Sequence, residues 1–242
     1  MILRGLLASI VIVLVGANAR GGAVAVSRYS VVVATGEITG DEFLVRDEFA
    51  EFGPYDQSVG DSLSPAAGGT TSASASQQSD VDAAALSGSA TGTGSAQVSE
   101  QDAILANAVS GFNFLFEISK RPEIITLDGE ISSTPAVGVE VVVENEARDH
   151  FFFERTAGTT GIPSIDIDND VVLQPGRYRL RIQTEVGGQP TLESARYQVN
   201  FAITNTPGSV VPLPAAVWPG AIVLAFALRY ARAGVSFGKN FS

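Results

Sequence analysis

Apolar and polar residues alternate with a period of two through much of the chain's second half. Phe112, Phe114, Phe116 and Ile118 are separated by Asn113, Leu115 and Glu117. Tyr178, Leu180 and Ile182 alternate with Arg177, Arg179, Arg181 and Gln183, and Tyr197, Val199 and Phe201 alternate with Arg196, Gln198 and Asn200. Side chains two apart on a strand share a face, so each run predicts a strand with one buried and one solvated side. In the run from Arg177 the solvated side is basic. Residues 124–131 and 137–143 and the Phe151-Phe152-Phe153 run add further strands. Ser132-Ser133-Thr134-Pro135, the Gly/Thr-rich 156–163, Pro175-Gly176 and Gly187-Gly188-Gln189-Pro190 supply the breaks between them.

Upstream, the valine-rich residues 23–34 predict a first strand. In residues 36–52, acidic positions including Asp47 and Glu48 are interleaved with Phe43, Leu44, Val45, Phe49 and Phe52. That pattern fits a short helix or a second strand, and Gly53-Pro54 ends either one. Many short strands with no long amphipathic helix predict a mainly β chain built as an antiparallel β-sandwich. Both jelly-roll and immunoglobulin-like arrangements fit. The Leu173–Leu180 stretch, of the form L-x-P-G-x-Y-x-L, resembles the penultimate hairpin of exported sandwich domains.

Residues 61–97 shift to Ser, Ala, Gly and Thr. Composition alone describes a flexible linker, with little apolar area to offset chain entropy. Yet Ser72-Ala73-Ser74-Ala75-Ser76 alternates with period two, which suits strands with small inward side chains. Strands interrupted by flexible loops are the expectation.

The two ends of the chain read differently. Residues 1–19 place Arg4 before an apolar run and finish in Ala17-Asn18-Ala19, a small-x-small pattern that predicts a secretory signal helix cleaved after Ala19. In residues 211–232, Pro212 and Pro214 fix their own φ and lack backbone N–H groups, so an extended, accessible segment is expected. The charge-free stretch 215–228 follows as a predicted hydrophobic transmembrane helix, and Arg229 and Arg232 close it as a topology stop. At 14 residues that stretch is short against the roughly 20 of a lasting span. The whole then divides into a signal peptide (1–19), the start of a β domain (20–60), a Ser/Ala/Gly-rich segment (61–97), a sandwich core (98–205) and a C-terminal sorting segment (206–242).

Val211, Pro212, Leu213, Pro214, Ala215, Ala216 and Trp218, followed by the apolar stretch and two arginines, resemble the VPLPA variant of the PEP-CTERM sorting signals. That resemblance implies a chain exported from a Gram-negative cell by the general secretion machinery. It implies a precursor held in the inner membrane by the C-terminal helix and cut near the motif by an exosortase-type membrane protease. The product would remain in the envelope or extracellular matrix, where extracellular polysaccharide is the implied partner. Exported proteins of this group often carry Ser/Ala-rich strands, which favours the strand reading of 61–97. Pro219-Gly220 and the tail 233–242 depart from the usual pattern.

Charge and composition narrow the chemistry. The chain of 242 residues carries net −11, with no acidic residue before Arg20 or after Val210. Setting aside Arg4, Arg229, Arg232 and Lys239 leaves 15 − 4 = 11 basic against 26 acidic residues, a net −15. Such a surface repels phosphate and excludes nucleic acid as partner. With no cysteine, disulfides and thiol chemistry are excluded too.

Asp166, Asp168 and Asp170 are oxygen ligands at alternate positions, the one arrangement in the chain that suggests Ca²⁺. The EF-hand template nevertheless fails at Val171 and Arg177. The structural expectation is a half-exposed acidic strand or turn opposite the row of Arg177, Arg179 and Arg181, with cross-strand pairs between them. His150 is the only histidine and has no nucleophile elbow or second ligand beside it. Asp47 and Glu48 are neighbours and point to opposite faces of a strand, so they do not form a hydrolytic pair. No catalytic residue and no cofactor are expected. The expected function is an exported structural or adhesive protein, the alternative a membrane-anchored, Ca-assisted carbohydrate-binding module.

Overall fold

The computed structural model describes residues 22–38, 41–64, 69–99, 103–135, 137–158, 161–188 and 192–205. The chain divides into two compact units, Met1–Thr206 and Pro207–Ser242, and all described residues lie in the first. Twelve strands account for the regular structure: β1 (Ala23–Ile38), β2 (Asp41–Phe49), β3 (Tyr55–Leu63), β4 (Thr70–Asp82), β5 (Ser87–Ser99), β6 (Ala103–Ile118), β7 (Glu123–Ser133), β8 (Gly138–Asn145), β9 (Phe151–Ala157), β10 (Ser164–Leu173), β11 (Gly176–Gly187) and β12 (Glu193–Asn205). They form two antiparallel six-stranded sheets, ordered β2-β1-β6-β11-β8-β9 and β10-β7-β12-β5-β4-β3. Among the described residues there is no helix, so Asp41–Phe49 resolves as strand. The predicted signal and C-terminal helices lie outside the described residues.

The Ser/Ala/Gly-rich stretch is sheet. β4 and β5 pair along their whole length, from Thr70↔Ser99 to Asp82↔Ser87. Their inward positions include Thr71, Ala73, Ala75, Gln77, Ser79, Val81, Ala90, Ala96 and Val98, while the other serines and threonines of the pair face outward. The outward hydroxyls bond across the pair, Ser74 to Ser95 and Ser76 to Thr93, each at 2.7 Å. Period-two patterning thus decides the structure even where many of the inward side chains are small.

Both sheets contribute to one hydrophobic core. Phe112 and Phe114 of β6 meet Phe201 of β12, with ring centroids 5.9 and 5.1 Å apart. Elsewhere the interior is polar. Arg28, 1% exposed, donates to the carbonyls of Glu51 and Gly53 and to Ser79, and lies over the Phe49 ring at 4.9 Å. Burial lowers its guanidinium pKa to about 10. Ser30, Gln77 and Ser79 complete this network, and Ser110 bonds the wholly buried Tyr197 hydroxyl at 3.1 Å. Arg28 ties the connection that leaves β2 in one sheet to β4 in the other.

One expected pairing does not occur. β10, with Asp166, Asp168 and Asp170, pairs with β7, where the partners are Glu130, Asp128 and Thr126. The arginine row of β11 belongs to the other sheet and pairs with Glu117 of β6 and with Glu140 and Glu144 of β8. The reason is the Gln174-Pro175 connection, which crosses between sheets. Leu173–Leu180 is accordingly a crossover and not a hairpin, with Leu173 and Leu180 buried from opposite sheets.

Candidate functional site

The aspartates of β10 all lie exposed on the outer face of their sheet, as alternate positions on a strand must. Asp170 accepts a 2.7 Å hydrogen bond from the Thr126 hydroxyl, and Asp168 stands opposite Asp128. Successive positions on one face are about 6.8 Å apart along the strand. Among the described residues no group of three acidic or histidine side chains is arranged to hold a metal ion. The sorting-motif residues Val211, Pro212, Leu213, Pro214, Ala215, Ala216 and Trp218, the stop residues Arg229 and Arg232, and the cleavage residues Ala17 and Ala19 lie outside the described residues.

The concave feature with the clearest chemistry lies where the β8–β9 turn meets the start of β11. Asn145 organises the turn: its side-chain oxygen accepts from the amides of Asp149 and His150, at 3.1 and 3.3 Å, and its side-chain amide donates to Asp149. The turn closes with Arg148 at φ 61, a left-handed conformation uncommon for a residue with a Cβ. Glu146 N–H donates to the Arg177 carbonyl at 3.1 Å, fixing the turn against β11.

Between these segments lies an open groove of about 560 Å³, within the size range of small-ligand sites. Phe152 and Tyr178 provide its apolar surface, with rings 5.2 Å apart and nearly perpendicular. His150 abuts Phe152 edge-on at 4.6 Å, and Phe116 backs Tyr178 at 5.8 Å. The Tyr178 hydroxyl donates to the Gln174 carbonyl at 2.7 Å, and burial raises its pKa.

Charge around the groove is paired. Arg177 reaches Glu117 at 2.9 Å and Glu146 at 3.5 Å, and its guanidinium pKa is raised by the hydrogen bond to Glu117 and the charge of Glu146. One residue before Asn145, the buried Glu144 carboxylate is faced by Arg179, Arg181 and Arg148 at 3.7, 3.8 and 4.0 Å. Burial lowers the pKa of Arg179, and the neighbouring Arg148 lowers it further.

The single histidine therefore belongs to an aromatic cluster. Asp47 and Glu48 likewise separate: Asp47 accepts from Tyr55 at 3.1 Å, while Glu48 accepts from Tyr29 at 2.8 Å and binds Arg46. Phe152, Asn145 and Glu146 were not singled out from sequence. The one signal was their proximity to His150, because the groove forms from turns about thirty residues apart in the chain. No protein-family model, curated protein or solved structure matches this chain.

Proposed function

We propose that this chain is a non-catalytic, exported envelope or extracellular-matrix protein carrying an exosortase-type sorting signal. Its β domain, read as a β-sandwich, then serves a structural or adhesive role. The observation that carries the proposal is the order of residues 211–232: a double-proline motif, a charge-free stretch and two arginines. Arg229 and Arg232 suit the cytoplasmic side by the positive-inside tendency, which sets the acidic β domain on the outer side. The same orientation follows from reading residues 1–19 as a signal peptide. A 14-residue apolar stretch is a weak permanent anchor, as suits a handle that is removed. Two antiparallel sheets around one core, free of cysteine, support a domain that stays folded outside the cell without disulfides.

The test is to replace Pro212 and Pro214 with alanine in the full chain, expressed in its own host, and to follow its size and location by fractionation and immunoblot. The expected result is a larger, unprocessed precursor retained in membranes. Identical processing of the two forms would sink the sorting proposal.

A further inference from the structure

We propose that β2, the connection at residues 50–54 and β3 form a strap that opens and closes as one unit along the side of the domain, with the buried guanidinium of Arg28 as its pin. β2 is the outermost strand of one sheet and β3 that of the other, so each is paired along one edge only, to β1 and to β4. Both are thinly packed. Phe43 is the buried residue of β2 and Tyr55 that of β3, whereas β11 buries Tyr178, Leu180, Ile182, Thr184 and Val186. Asp47, Gln57 and Asp61 stand at inward positions of the strap, where a core strand would carry apolar side chains. Segments with so little buried apolar surface open at a lower free energy than the domain as a whole.

The two strands of the strap are joined to each other as well as to their sheets. Phe49 stacks on Tyr55 with ring centroids 5.4 Å apart, and the Tyr55 hydroxyl donates to Asp47 at 3.1 Å. A strand that lifts therefore takes the other with it. Arg28, on β1, grips both strands and the connection between them. Its Nη1 donates to the carbonyls of Glu51 and Gly53 at 3.0 and 2.6 Å, and its guanidinium lies 4.9 Å from the Phe49 ring centroid and 5.9 Å from that of Tyr55. The rest of the domain adds the Ser79 carbonyl and hydroxyl and the Phe112 ring. These hydrogen bonds end on carbonyls and one hydroxyl, not on a carboxylate, so much of what offsets desolvation of the charge comes from the strap itself. When the strap lifts, Arg28 returns to water, which lowers the cost of opening. Opening also bares β1 from Ser30 to Ile38, with its run of valines, and β4 from Thr71 to Ser79. The closed strap instead presents Asp41, Glu42, Arg46, Asp47 and Glu48 of β2, charges that keep a sheet edge from pairing with another chain. The position of the strap decides which edge the domain shows.

The experiment is hydrogen–deuterium exchange of the full chain in detergent, read by peptide mass spectrometry. β2 and β3 are expected to exchange in step, and faster than β11 and β12. Arg28→Lys keeps the charge, but an ammonium group cannot serve two strap carbonyls, Ser79 and the rings at once. It is expected to speed exchange in β2 and β3 about tenfold, while β9 and β10, the outermost strands at the other ends of the sheets, keep their rates. A second variant leaves Arg28 in place and decides the matter if Arg28→Lys does not fold. Thr35 and Leu44 are cross-strand partners on the outer face of β1 and β2, and the chain has no cysteine. Thr35→Cys together with Leu44→Cys therefore gives one defined disulfide on oxidation. That bond ties down β2 alone, yet it is expected to slow exchange in β3 as well, and reduction is expected to restore both. An unchanged β3 in the oxidised variant, unrelated rates in β2 and β3, or an Arg28→Lys effect spread over every strand or absent from the strap would each overturn the proposal.

Discussion

Along β6 the inward side chains change from Ala106, Ala108 and Ser110 to Phe112, Phe114, Phe116 and Ile118, and the strands around them change in step. Beside the small residues lie Ala34, Ala73, Ala75, Ala96, and Gly92 and Gly94 of β5. Beside the rings lie Phe201, Tyr178, Leu180 and Ile182. Between the two regions sit Arg28, Gln77, Ser79 and Tyr197. The aromatic region is held by large buried areas, so it is sensitive to deletion. The small-residue region is held by close backbone approach and hydrogen bonds, so it is sensitive to addition. One core can thus have two failure modes, and a stretch that reads as low complexity is closely packed at Gly92 and Gly94.

The largest expected effect comes from the aromatic region. Phe114 is fully buried and touches the rings of Phe52, Phe116 and Phe201. Phe114→Ala is expected to cost about 3–5 kcal/mol, measured by denaturant unfolding. A loss below about 1 kcal/mol would mean that the ring cluster contributes little. In the small-residue region the informative change is an added methyl. A Cβ at Gly92 would overlap the Ser110 hydroxyl and the Tyr197 ring, both buried. Gly92→Ala is expected to destabilise by about 1–3 kcal/mol, although alanine is otherwise the better strand residue. A neutral or stabilising result would show that the region has spare room and would remove the contrast.

The smallest effect is a pH slope set by the polar groups between the two regions. Burial raises the pKa of Tyr197, and burial followed by the hydrogen bond to Asp47 raises that of Tyr55. Above the ordinary tyrosine value, about 10, the unfolded chain releases protons that the folded chain retains, so stability falls as pH rises. Arg28 opposes this. Its folded value of about 10 lies below its ordinary 12.5, so over that interval the unfolded state binds more protons and stability rises. Tyr29 and Tyr178 are also shifted upward, and four tyrosines outweigh one arginine. The melting temperature is expected to fall between pH 9 and 11, and to fall less steeply in Tyr197→Phe. Equal slopes in the two proteins would mean that Tyr197 does not carry the effect.

Much of this fold is legible in sequence because alternation survives any change of side-chain size. The rows at Phe112, Tyr178 and Tyr197, and the Ser-Ala repeat at 72–76, all appear as strands with the expected inward face. Sheet membership is not legible. A proline-glycine connection looks alike whether the chain turns back beside itself or crosses to the opposite sheet, and the pairing of Asp166, Asp168 and Asp170 was misread for that reason. The groove was hidden because its rim comes from Asn145 and Glu146 on one turn and Arg177 beyond another. No spacing rule links such positions before the strands are placed.

The last two strands occupy central positions. β11 lies between β6 and β8, and β12 lies between β7 and β5. Without this pair, one sheet would be left as β2-β1-β6 and β8-β9, and the other as β10-β7 and β5-β4-β3. The β11–β12 segment therefore acts as a keystone for both sheets at once. A chain delivered N-terminus first presents ten strands that cannot be assembled into their final sheets, and loop closures spanning most of the domain must wait for residues 176–205. Premature folding is thereby discouraged by topology alone, and a chain cut short before Gly176 would expose four sets of unpaired edges to its neighbours.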